Sequence, residues 1–178
     1  MRPASPPPSS YAEWLPLLDR FRDGDDAALP AMQSGRLEWS NIVAERWTAR
    51  MAEVFKVRLE KISKQLQTGV DRAASDPFTV SRAILAARRA LVPLRAAATL
   101  TFLPEEVRNH FAAEVEHFAK QTQESLERSA GQIRGDGGAM LKAIRDNPLT
   151  VVEPPAGEPE SPADSVSPSA RGRRVIFE

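Results

Sequence analysis

Apolar residues recur along this chain at intervals of three and four, in several runs separated by turn-forming residues. The longest run follows Ser40, a residue suited to capping a helix. Between Asn41 and Ala74 there is no Pro, and Gly69 is the one Gly. Val43, Trp47, Met51, Phe55, Leu59, Ile62, Leu66, Val70 and Ala73 fall on a single stripe, which predicts one long helix. Asp76 and Pro77 then open another, the carboxylate as cap and the ring at the first position. Its inward residues are Val80, Ile84, Ala87, Leu91 and Leu94, and Pro93 predicts a kink or an early end. Pro104, Glu105 and Glu106 start a further helix, where the dipole favours acids. Its stripe runs Val107, Phe111, Val115, Phe118, Thr122 and Leu126.

Shorter runs flank these. Ser10 and Glu13 have capping-box spacing, so a helix is expected through "YAEWLPLLDRF", limited or kinked by Pro16. Asp25 caps a short helix that stops by Gly35. After the break at "GQIRGDGG", the stretch "AMLKAIRDNP" makes one short helix that stops before Pro148. No segment alternates with the period of a strand.

The fold expected is all-α: an antiparallel helical bundle of three to four main helices over residues 10–147. Residues 1–9 are Pro/Ser-rich and residues 148–170 Pro/Glu/Ser-rich, so both are expected to be disordered. Residues 171–178 form a C-terminal basic-apolar motif. The helix after Ser40 would span about 50 Å at 1.5 Å per residue. Its neighbour with Pro93 is shorter, so part of the long stripe is expected to lie uncovered in one chain, which predicts a homo-oligomer.

Composition narrows the function. There is no Cys, which excludes disulfides and thiolate metal sites. Lys plus Arg and Asp plus Glu number 24 each, so no net field draws the chain to nucleic acid or to anionic membrane. No apolar stretch is long enough to span a membrane. "MRPASPPPSS" lacks the apolar centre of a signal peptide, so a cytoplasmic location is expected. The excess of Arg over Lys and the abundant Ala resemble the usage of a GC-rich bacterial genome.

Catalytic chemistry finds little footing. His110, Glu114 and His117 share a helix face, and "EVEH" has the Glu-x-x-His spacing of di-iron bundles. Such a site needs a second Glu-x-x-His, and Val107 stands three residues before His110. These residues read better as a polar border to the Phe111 stripe, and no metal or other cofactor is expected. There is no Gly-x-Ser-x-Gly, and "GQIRGDGG" lacks the Gly-Lys-Ser/Thr ending of a phosphate loop. The chain is read as a non-enzyme.

Two features point to binding. Arg82, Arg88, Arg89 and Arg95 lie in a helix without acids. They suit either a phosphate-binding face or ion pairing with Glu105, Glu106, Glu114, Glu116, Glu124 and Glu127 of the following helix; overall neutrality favours pairing. Trp14, Trp39 and Trp47 read as core or boundary residues, with Trp39 placed for a hydrophobic staple. The second feature is the tip of the tail. Arg171, Arg173 and Arg174 precede Val175, Ile176 and Phe177, after a spacer bearing Glu153, Glu158, Glu160 and Asp164. A β-prone apolar run on a solvating spacer suits strand addition to the sheet edge of a protein partner. The expected function is a non-enzymatic adaptor or accessory protein with a tethered linear motif. The alternative is a nucleic-acid-binding protein that uses Arg82, Arg88, Arg89 and Arg95.

Overall fold

The structure, a computed structural model, describes residues 7–38, 40–72, 76–132 and 137–150. Its regular elements are α1 (Tyr11–Asp23), a 3-10 turn (Asp26–Ala28), α2 (Leu29–Ser34), α3 (Asn41–Arg72), α4 (Pro77–Ala98), α5 (Glu105–Gln132) and α6 (Gly137–Arg145). The protein is all-α, and no strand occurs among the described residues. Six α-helices are present among the described residues, where three to four main ones were expected. The excess lies in the short α2 and α6, which still bury Met32, Met140 and Ile144.

Capping chemistry sets the boundaries. The Glu13 carboxylate accepts from the backbone N–H of Ser10 at 3.2 Å and of Ser9 at 2.8 Å. The Asp25 carboxylate accepts from the Ala27 N–H at 3.0 Å, and the Ser40 hydroxyl from the Val43 N–H at 3.3 Å. Each occupies a donor that the first turn leaves without a helical partner. Gly24 ends α1 in the left-handed region with φ 103°, a conformation that suits Gly.

Neither interior proline ends its helix. α1 continues beyond Pro16 to Asp23, and α4 beyond Pro93 to Ala98. In each case buried residues follow the Pro: Leu18 and Phe21 in α1, Leu94, Ala97 and Ala98 in α4. Burial of a large side chain contributes about 1.5–3 kcal/mol. Several such residues offset the roughly 3 kcal/mol that an interior Pro costs.

α3 packs on α1, α4 and α5, and α4 also packs on α2, α5 and α6. Trp14 meets Trp47 edge-on at 6.0 Å between ring centres, and Phe102 closes on both at 4.7 and 5.5 Å. Trp39 lies outside the described residues. Deeper in, Phe55 of α3 meets Phe111 of α5 at 4.8 Å. Gly69 has a packing reason: a Cβ there would stand 2.7 Å from the Ala83 Cβ of α4. The close approach of the two helices needs a residue without a side chain.

Arg58 is buried at 6% exposure, a feature the apolar pattern did not disclose. Its guanidinium pairs with Asp26 at 2.7 Å, donates to the Phe21 carbonyl at 3.1 Å and lies 4.3 Å from the Phe21 ring centre. It ties α1 and the 3-10 turn to α3.

The packed region extends past both expected limits. Pro8 is buried and its carbonyl accepts from the Arg36 N–H at 2.8 Å. Leu149 is 1% exposed and its N–H donates to Gln123 Oε1 at 3.3 Å. Apolar burial, not the local Pro content, holds these two segments. The α3 stripe from Trp47 to Leu66 is buried within a single chain. The reason given above for a second copy, an uncovered part of that stripe, is therefore absent over those residues.

Candidate functional site

α4 owes its start to Asp76. The carboxylate accepts from the backbone N–H groups of Phe78 and Thr79, each at 3.1 Å, and from the Thr79 hydroxyl. The Thr79 hydroxyl first, then the Phe78 N–H, hold the Asp76 carboxyl below its ordinary range. From there the helix runs 22 residues without an Asp or Glu.

Its inner side carries Val80, Ile84, Ala87, Leu91 and Leu94, all buried as the periodicity required. Its outer side carries a second apolar series. Phe78 is 69% exposed, Leu85 36% and Val92 58%. These three are seven residues apart, so they fall within about 40° of one another on the helix surface. Isolated exposed apolar side chains are ordinary; these three are aligned along one helix face.

Arginines border this series. Arg82 and Arg89 lie on one side of it and Arg88 on the other, and all three are exposed. None has an ionic or hydrogen-bonding partner among the described residues. Arg95 differs. Its Nε donates to Glu116 at 2.6 Å, and its Nη2 to Glu116 at 3.3 Å and to the Leu149 carbonyl at 2.8 Å. The pairing expected between this helix and α5 is thus made by Arg95, while Arg82, Arg88 and Arg89 face outward.

The sequence reading found the arginines and missed Phe78, Leu85 and Val92. The signal was present as a seven-residue repeat on the side away from Val80 and Ile84. The tail motif of Arg171, Arg173, Arg174, Val175, Ile176 and Phe177 lies outside the described residues.

Other surfaces offer less chemistry. Two adjoining hollows of about 280 and 300 Å³ share Gln67 of α3 and Ser125 and Leu126 of α5; Leu66 and Phe118 also line the first, and Val80 of α4 with Met140 and Ile144 of α6 the second. His110 and His117 are exposed and Glu114 is half-buried. No group of three His, Asp or Glu side chains placed to hold a metal occurs among the described residues. No described helix is long and apolar enough to cross a membrane. The chain matches no family model, no curated protein and no solved structure in the comparisons made.

Proposed function

We propose that the protein is a non-enzymatic adaptor or accessory protein. Its helices form an antiparallel bundle that presents one protein-binding face, and its C-terminal motif engages a second protein partner. Gly69 beside Ala83 and Trp47 beside Phe102 support the antiparallel reading, because α3 and the segment from α4 to Phe102 meet at both ends. The observation that carries the function is the outer face of α4. Phe78, Leu85 and Val92 are exposed in register between arginines that have no partner among the described residues. Such a face gains most from a protein surface that covers the apolar series and sets acids against the arginines. Pairing of two such faces from two copies would set arginine near arginine, so the fitting occupant is chemically different. The tail motif adds apolar residues worth about 1.5–3 kcal/mol each on burial, against about 1–2 kcal/mol per residue ordered. That balance gives weak binding by the tip alone, strengthened when both surfaces engage one assembly.

The test is affinity capture with the full chain, with residues 171–178 deleted, and with Phe78→Ser, Leu85→Ser and Val92→Ser combined. Each change is expected to remove its own set of proteins. Capture indifferent to both changes overturns the proposal.

Arg82, Arg88 and Arg89, free of ion pairs among the described residues, favour one second reading: phosphate contacts to nucleic acid. A gel shift separates the two. Nucleic-acid binding falls steeply with salt and is lost when the arginines become Gln, while loss of Phe78, Leu85 and Val92 alone would spare it.

A further inference from the structure

The outer face of α4 has a fitting occupant within this chain. We infer that the acidic segment of residues 153–164 docks on the Arg82, Arg88, Arg89 face of α4 in the same molecule. The inference rests on reading that face as a protein-docking surface and names what covers it before a partner does.

Three observations converge. The first is where the described chain leaves off. Arg95 of α4 holds the Leu149 carbonyl at 2.8 Å, so the described chain leaves off beside α4. Arg88 is seven residues back from Arg95 and lies within about 20° of it around the helix. It is about 10 Å away along the axis, and Arg82 about 20 Å. The second is charge. Residues 153–164 contain Glu153, Glu158, Glu160 and Asp164 and no Lys or Arg. The α4 face has three exposed arginines and no acid. Neither set finds opposite charge in its own segment.

The third is reach. An extended chain covers about 3.3–3.6 Å per residue, so Glu153, four residues beyond Leu149, can reach Arg88. Glu158, Glu160 and Asp164 have length enough for Arg89 and Arg82. Pro154, Pro155, Pro159 and Pro162 supply apolar rings to lie against Leu85 and Val92. Proline restricts the free chain in advance, so less entropy is lost on docking. Exposed ion pairs are individually weak, but a tether of this length gives an effective concentration in the millimolar range. Weak complementarity is therefore enough to populate the docked state.

The absence of Cys in the sequence permits a clean test in the full chain. Ser161→Cys, bearing a nitroxide label, is compared with its reduced form by the NMR intensities of backbone amides. The expected result is broadening of amides at Leu85, Arg88 and Arg89 at low salt, unchanged on dilution. High salt, or Arg82→Gln with Arg88→Gln and Arg89→Gln, is expected to restore at least half of the lost intensity. Broadening spread without preference for α4 overturns the inference. So does broadening that disappears on dilution, which would make a second copy the occupant. Capture of a partner through Phe78, Leu85 and Val92 is read separately, so either idea can fail alone.

Discussion

Arg95 and Glu116 face each other across α4 and α5 in a two-pronged ion pair, with contacts of 2.6 and 3.3 Å. The same guanidinium holds the Leu149 carbonyl, so one side chain joins α4, α5 and the segment after α6. Its neighbours Arg82, Arg88 and Arg89 do none of this. The arginines of one helix therefore divide into a structural one and three available ones.

That division gives a first prediction. Arg95→Gln should lower stability by about 1–2 kcal/mol, since hydrogen bonds to charged groups contribute this much and partial exposure screens the pair. Arg82→Gln, Arg88→Gln and Arg89→Gln should leave the thermal midpoint within experimental scatter. Thermal melts of the four single variants check this. Equal losses at all four positions would contradict the division.

Gly69 offers a test of sign. In an exposed helix interior, Gly→Ala stabilises by about 1 kcal/mol. Here the new Cβ would meet the Ala83 Cβ at 2.7 Å, and overpacking of this kind costs about 1–3 kcal/mol. Gly69→Ala is expected to lower the melting temperature despite the better helix former. A rise would mean that α3 and α4 can separate there without loss.

The helices were legible in the sequence because their signals are local. Ser40, Asp76 and the Pro104–Glu106 run mark starts within a residue or so, and the stripes of α3, α4 and α5 named the buried residues Phe55, Ile84 and Phe111 directly. What escaped was whatever depends on distant partners. Pro16 and Pro93 predict a kink or an early end, and burial on other helices overrides the early end. Nothing local marks Arg58 as buried, because Asp26 and Phe21, which neutralise and cover it, are more than thirty residues away. The outer series of Phe78, Leu85 and Val92 shares the helical period with the inner stripe, and periodicity alone does not say that two stripes have unequal cover.

Acid should weaken the caps together. The Ser9 backbone N–H, then that of Ser10, keep the Glu13 carboxyl below its ordinary range, Arg20 does so for Asp25, and Thr79 for Asp76. A carboxyl depressed in the folded state contributes stability above its unfolded pKa and loses it as pH falls through the folded value. Unfolded carboxyls titrate near pH 4, approximately, so stability should be level at neutral pH and decline below about that point. Asp76→Ala should lower the melting temperature at neutral pH and reduce the acid dependence. Circular dichroism melts across the acid range check both; an unchanged acid slope in the variant would remove Asp76 from the account.

The central proposal is that the protein works by holding other proteins, with Val175, Ile176 and Phe177 supplying a contact to one of them. Side-by-side capture by the full chain and by the chain lacking residues 171–178, quantified by mass spectrometry and accompanied by the melting temperature of each bait, tests it most directly. The account predicts that specific proteins are lost with the deletion while the two baits melt together. Retention of every captured protein, or a melting temperature several degrees lower without the tip, would contradict it.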